Sequence, residues 1–211
     1  MPRTCISTAR SSAFASAKKP LQGAFAMHRL ALQVLQSRVP TRTWSLKTPQ
    51  YLWCLDALLG FYPDARIVWT HRDPRRVVPS VASLNTALMR LTSRSPDPRA
   101  VGAYWNEALH LGVTRGVAFD RGQGGKDWCA HLQYRELLAD PVGAVRRLYS
   151  HFGSEVDPLH AQRMAAWMRD RPQDAHGRHA YDPADFGLAP EALAEHYAEY
   201  TGHFGVPAED G

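Results

Sequence analysis

Acidic residues are missing from the start of the chain: none precedes Asp56, while Arg3, Arg10, Lys18, Lys19, Arg29, Arg38, Arg42 and Lys47 are all basic. Within a net charge of +5 and a pI near 9.3, that imbalance fits an anionic partner such as nucleic acid, a phosphorylated nucleotide or an acidic surface. Cysteine is scarce as well. Cys5, Cys54 and Cys129 are odd in number, far apart and without a CxxC pair, which excludes a disulfide framework and a zinc knuckle. A reducing, cytoplasmic compartment is expected. Long apolar runs are also absent, since the best stretch, around Leu52 to Tyr62, is short and carries Asp56, so no transmembrane segment is expected. Of the ten histidines, His176 and His179 have a ligand-like spacing, but with Gly177 between them and no Cys or carboxylate cluster beside them no metal site is expected.

The 211 residues, 45% of them hydrophobic, suffice for one domain with a sizeable core. Residues 1–20 are rich in Ser, Ala and Thr without apolar periodicity and read as an unstructured or non-native start, residues 21–206 as the domain, and 207–211 as a tail. Leu21, Phe25, Leu30 and Val34 recur at helical spacing, predicting an amphipathic helix that ends before Pro40. Trp44–Lys47 reads as a short strand and is followed by a helix carrying Leu52, Leu55, Leu58 and Leu59 on one face. Arg66–Thr70 has the continuous apolar centre of a buried parallel strand. After it Asp73 is placed as an N-cap, with Pro74 at the first helical position. Further helices are predicted over Pro98–Val117, Pro141–Phe152, Pro158–Arg169 and Pro190–His203, a loop over Asp120–Asp127, and a third strand over Trp128–Tyr134. Alternation of strand and helix with short connections indicates an α/β architecture, a parallel sheet flanked by helices in three layers.

The stretch with chemical content is Thr70-His-Arg-Asp-Pro-Arg-Arg-Val-Val-Pro-Ser80, at the carboxyl end of a strand and the start of a helix. In open α/β sheets ligands bind beyond the carboxyl ends of strands, and helix N-termini turn free N–H groups towards anions. Arg72 and Ser80 add a forked cation and a neutral donor, a set suited to a phosphate monoester. His71-Arg72-Asp73 also spells the protein kinase catalytic triplet, but Val78 stands where that loop needs an Asn, and no glycine-rich loop or Asp-Phe-Gly accompanies it.

From Leu21 to Val206 the sequence resembles the sulfotransferases that use 3′-phosphoadenosine 5′-phosphosulfate, in particular their bacterial branch. In that family an Arg followed eight residues later by a Ser grips the 3′-phosphate, a spacing that Arg72 and Ser80 reproduce. Trp44-Ser-Leu-Lys-Thr-Pro-Gln-Tyr-Leu52 is similar to the bacterial Leu-Lys-Ser-Pro-x-His-Leu segment, whose Lys and His lie at the reacting sulfuryl group. Lys47 matches the lysine, and Tyr51 stands in place of the histidine. Gln133-Tyr134-Arg-Glu-Leu137 resembles the Tyr-Glu-Asp-Leu block whose Tyr sits near the adenine. His176-Gly-Arg-His-Ala-Tyr181 with Asp185-Phe-Gly-Leu188 resembles the closing segment, which makes Arg178 a candidate for the 3′-phosphate. The resemblance implies a P-loop nucleotide-kinase-like fold, with Arg72, Ser80, Tyr134 and Arg178 holding the phosphosulfate donor or its bisphosphate product. It implies a small-molecule, glycan or lipid hydroxyl as acceptor, with Lys47 and Tyr51 at the chemistry.

Two departures qualify this. The family opens with a strand and a glycine- and Ser/Thr-bearing loop that cradles the 5′-phosphosulfate, and residues 1–20 do not supply it, so the fold is expected to be truncated at its start. Three or four lost charge-assisted hydrogen bonds amount to roughly 5 to 10 kcal/mol. Tyr51 replaces a base of pKa near 6.5 by a phenol that ionises only near 10, about 4 kcal/mol in driving force unless a cation such as Lys47 assists. A non-catalytic remnant that binds the nucleotide weakly or not at all is therefore a rival reading. A nucleic-acid-binding module built on the basic first 50 residues is another, although its basic residues are interleaved with core apolars and match no known binding motif.

Overall fold

The computed structural model describes residues 18–39, 43–92, 95–123, 127–171 and 180–209. The chain divides into two compact units, Met1–Ala65 with Leu111–Gly122, and Arg66–His110 with Gln123–Gly211. One long helix, α4 (Pro98–Gln123), contributes its first half to the second unit and most of its second half to the first.

In the first unit, helix α1 (Lys18–Arg38) begins three residues earlier than its apolar spacing suggests. Phe25, almost fully buried, anchors its inner face: its ring stacks on Phe61 at 5.7 Å and meets the edge of Tyr62 at 6.2 Å. Tyr62 also brings its hydroxyl within 2.8 Å of His28 Nδ1. The opposite face of α1, with Met27, Leu30 and Val34, stays exposed. Residues 43–48 are not a strand, contrary to the expectation for Trp44–Lys47. A segment of four residues becomes a strand only when a neighbouring ladder takes up its N–H and C=O groups, and none of the described residues pairs with it. The chain passes instead into a 3₁₀ turn, Pro49–Trp53, whose cap Thr48 accepts from the Gln50 N–H, and then into α2 (Leu55–Phe61). Gly112 on α4 lets this segment approach, because a Cβ there would stand 3.0 Å from the Trp53 ring.

The second unit holds a two-stranded parallel sheet, β1 (Ile67–His71) beside β2 (Cys129–Gln133), in a register that runs from Ile67 opposite Cys129 to His71 opposite Gln133. Along β1, Trp69 and His71 turn towards the helices, while Val68 is 43% exposed. The strand is thus covered on one face, not on both as its continuous apolar run suggested. Helix α3 (Pro74–Met89) starts as expected: the Asp73 carboxylate accepts from the Arg75 N–H, and Pro74 occupies the first turn. Val78, Pro79, Ala82, Ser83 and Thr86 form its buried face. Beyond β2 come α5 (Tyr134–Ala139), α6 (Pro141–His151) and α7 (Pro158–Asp170). Helix α4 runs to Gln123, six residues past Val117, and so takes in Gly122, which read as part of a loop.

The predicted last helix is in fact two, α8 (Pro190–His196) and α9 (Ala198–Phe204), interrupted at Tyr197. Tyr197 is 2% exposed and donates its hydroxyl to the Asn106 carbonyl at 2.8 Å, a tertiary bond that a continuous helical period in the sequence does not betray. Gly205, at φ +59°, closes α9 in the left-handed conformation that glycine adopts without steric cost. Among the described residues no helix is long and apolar enough to cross a membrane.

Candidate functional site

At the carboxyl end of β1 the strand-to-helix turn sets Arg72 outward and Asp73 inward. Asp73, 3% exposed, is gripped by Arg75 through its Nε at 2.9 Å and its Nη2 at 2.7 Å, and accepts backbone N–H groups from Arg75 and Glu209. Burial pushes this carboxyl up, but the Arg75 hydrogen bonds and the Glu209 N–H outweigh it and hold Asp73 below the ordinary carboxylate range.

Arg72 lies between an aromatic face and an oxyanion. Its guanidinium carbon stands 4.2 Å from the centre of the Tyr134 ring. Its Nε donates to both Glu209 carboxylate oxygens, at 2.9 and 3.2 Å, and its Nη2 donates to Oε2 at 3.0 Å. Glu209's hydrogen bonds make the guanidinium hold its proton more firmly, against a smaller opposing effect of burial. The two side chains keep 38% and 27% of their surface exposed, so the pair is worth at most about 1 kcal/mol to the fold.

The turn is braced from behind. Buried Tyr200 on α9 accepts the Arg72 backbone N–H and reaches His71 Nδ1 at 3.1 Å, and burial, the larger effect, pushes its hydroxyl up to about 12, so it stays a donor. His71 Nε2 in turn lies 2.8 Å from His131 Nδ1 on β2, with the Phe204 ring stacked on His71 at 4.3 Å. The Gln133 side-chain amide donates to the Phe204 carbonyl at 2.8 Å, tying the end of β2, next to Tyr134, to α9.

Of the residues singled out from sequence, the structure brings Arg72 and Tyr134 together. Ser80 sits half-buried in the second turn of α3, and its hydroxyl has no hydrogen-bond partner among the described residues. Arg178, with His176 and His179, lies outside the described residues. Tyr181, within the described residues, donates its hydroxyl to the Arg76 carbonyl at 3.1 Å, close to the start of α3. Lys47 and Tyr51 belong to the first unit. Lys47 is exposed, and Tyr51 lies in the 3₁₀ turn with its ring 6.1 Å from Phe25. Burial, then the neighbouring Cys54, raises the Tyr51 hydroxyl above its ordinary value. The cationic help expected from Lys47 is not what governs this phenol, which is ionised less readily than an exposed tyrosine.

Sequence reading missed Glu209 and Tyr200. Glu209 lies 137 residues from Arg72, and a lone acid in a tail carries no local signal. Tyr200 falls on the apolar period of its helix and reads as core.

The donor set fits a phosphate monoester. Arg72 already holds a two-oxygen anion side-on, the arrangement a phosphate would use, with an aromatic plane beneath it. Among the described residues no group of three or more His, Cys, Asp or Glu is placed to hold a metal ion.

Comparison with known proteins gives concordant results. A family model described as the sulfotransferase family matches residues 6–158. An omega-hydroxy-beta-dihydromenaquinone-9 sulfotransferase, Stf3, of Mycobacterium bovis is 27% identical over 175 residues, covering 78% of this chain and 41% of that protein, and its Mycobacterium tuberculosis counterpart matches equally. The crystal structure of sulfotransferase STF9 from Mycobacterium avium superposes with a TM-score of 0.81 at 30% identity, covering 94% of this chain and 50% of that one. That of STF1 from Mycobacterium tuberculosis gives 0.60 at 31% identity, covering 74% and 39%. The chain thus spans half or less of the length of these relatives.

Proposed function

The chain belongs to the sulfotransferase family, with its α/β fold, and on that premise we propose that it grips the 3′-phosphoadenosine end of 3′-phosphoadenosine 5′-phosphosulfate in a transfer to an acceptor hydroxyl. One observation carries this reading: Arg72 presents two N–H groups to an oxyanion at hydrogen-bond distance while resting on Tyr134.

In this reading Arg72 takes two oxygens of the 3′-phosphate and Ser80 gives its hydroxyl hydrogen to a third. Tyr134 backs the guanidinium and lies along the adenosine. Arg178 is assigned to the same phosphate by its place in the closing segment. The donor, when bound, supplies a sulfuryl group already activated by its phosphate leaving group. Lys47 neutralises charge on the sulfuryl oxygens, since fixed cations at developing charge are usually the largest contribution to such transfers. Tyr51, kept protonated by its surroundings, acts as a hydrogen-bond donor rather than as the base. For the acceptor, the menaquinone-derived hydroxyl named for Stf3 favours an apolar molecule bearing a hydroxyl.

The raised Tyr51 hydroxyl also favours a second reading, in which the chain binds the nucleotide and does not turn it over. Titration with adenosine 3′,5′-bisphosphate by calorimetry tests the binding common to both. Loss of the Arg72 fork in Arg72→Ala removes charge-assisted bonds of roughly 1.5 to 3 kcal/mol, a weakening of about 10- to 150-fold. Ser80→Ala costs less, about three- to tenfold, as expected for one neutral donor. Affinity indifferent to both substitutions overturns the assignment. Release of labelled bisphosphate on adding a polyprenyl alcohol then separates turnover from binding alone.

A further inference from the structure

We propose that Glu209 is a built-in competitor at the anion site: its carboxylate holds the edge of Arg72 that a phosphate monoester would take, so ligand entry requires the C-terminal strap to let go. The inference rests on the reading of Arg72 as a phosphate ligand.

The contact is built rather than incidental. Gly205 turns the chain out of α9, and the Val206 N–H bonds back to the Thr201 carbonyl at 2.9 Å, fixing where the strap begins. Three residues on, the Glu209 N–H donates to Asp73 Oδ2 at 2.8 Å, fixing where it ends. Asp73 is itself buried and clamped by Arg75, so the landing point is rigid. Held at both places, the Glu209 side chain meets the guanidinium edge-on with two oxygens, as a phosphate would.

The contact is also weak enough to yield. Both partners are partly open to solvent, where ion pairs contribute little. Glu209 brings a single negative charge, whereas a phosphate monoester carries about −1.5 to −2 near neutral pH, with three acceptor oxygens. A dianionic phosphate displaces the carboxylate, while monoanions compete with it on equal terms. The strap therefore screens for charge as well as shape, and ligand affinity is reduced by the fraction of molecules in which the strap is released.

Calorimetry on the full chain tests this, with adenosine 3′,5′-bisphosphate as probe and adenosine 5′-monophosphate, which lacks the 3′-phosphate, as control. Glu209→Gln should tighten the bisphosphate about three- to tenfold and leave the monophosphate unchanged. Deletion of residues 207–211 should do the same, and it serves as the second variant should the substitution disturb the tail. In the Arg72→Ala background the gain should vanish. If Arg72→Ala abolishes binding while both tail variants bind as the parent does or more weakly, the competitor is refuted and the phosphate site stands. If Arg72→Ala binds as the parent does, the phosphate reading itself falls and takes the competitor with it.

Discussion

The Arg72 guanidinium carbon lies 4.2 Å from the centre of the Tyr134 ring, well inside the range over which an aromatic face attracts a cation. Tyr134 is the first residue of α5, directly after β2, so the parallel pairing of two strands decides where the ring stands beneath the charge. The aromatic plane takes one face of the guanidinium and leaves its donor edge, which the Glu209 carboxylate holds, to an anion.

The ring, rather than its hydroxyl, should matter for ligand binding. Tyr134→Ala is expected to weaken adenosine 3′,5′-bisphosphate about two- to thirtyfold, and Tyr134→Phe to stay within about twofold of the parent. Calorimetric titration of both variants decides it; equal losses in the two would point to the hydroxyl instead.

Asp73 should be a stability residue with an acid signature. It caps α3, pairs with Arg75 and receives the Glu209 N–H, and its carboxyl is held below the ordinary range. A depressed carboxyl stabilises the fold above the unfolded-state value near 3.9, and that share is lost as pH falls through the lower folded value. Asp73→Asn should lower stability at pH 7 by about 1 to 3 kcal/mol, with the deficit shrinking below about pH 4. Urea unfolding of parent and variant from pH 3 to pH 7 measures both. A deficit constant with pH would contradict the role given to the charge.

How far the fold was legible in advance depended on how local its causes are. The Asp73–Pro74 start of α3 is a cap followed by a proline that needs no N–H, a signal contained in two adjacent residues, and the structure matches it. The strand around Ile67–Thr70 was legible from its β-branched and aromatic run, within one residue at its ends. What failed depended on distant partners. Trp44–Lys47 finds no ladder among the described residues, α8 and α9 part where Tyr197 reaches for Asn106, and Val68 is partly exposed on a face that apolar sequence alone reads as covered. At the site, spacing singled out Arg72 and a motif singled out Tyr134, but the acid that occupies Arg72 comes from the far end of the chain.

Two glycine substitutions should have opposite signs. A Cβ at Gly102 on α4 would collide with the Phe186 carbonyl, and backbone cannot swing aside as a flexible side chain can. Gly102→Ala should destabilise by about 1 to 3 kcal/mol, the usual cost of overpacking. At Gly23, inside α1, nothing lies within 4 Å of a Cβ, and Gly23→Ala should stabilise by roughly 0.5 to 1 kcal/mol through helix propensity. Chemical denaturation of the two variants checks the pair, and stabilisation by Gly102→Ala would refute the close approach of Phe186.

His110 should set the stability of the second unit between neutral and mildly acid pH. Its ring stacks on His196 at 3.8 Å and meets the edge of buried Tyr197. Burial first, and the charge on His196 second, hold the His110 imidazole below its ordinary value, against the opposing effects of Glu107, the His196 backbone and Glu199. Well above about pH 6.5 the imidazole is neutral in both folded and unfolded chains, so it adds no pH dependence there. As pH falls through that value the unfolded chain binds the proton first, and stability declines until the lower folded value is passed. His110→Phe keeps the stacked ring and removes the proton site, so its stability should fall less between pH 7.5 and pH 5 than the parent's does. Thermal unfolding at half-unit steps across that range compares the two slopes. Identical slopes would mean that other groups carry the acid sensitivity and that the His110–His196 stack tolerates the charge.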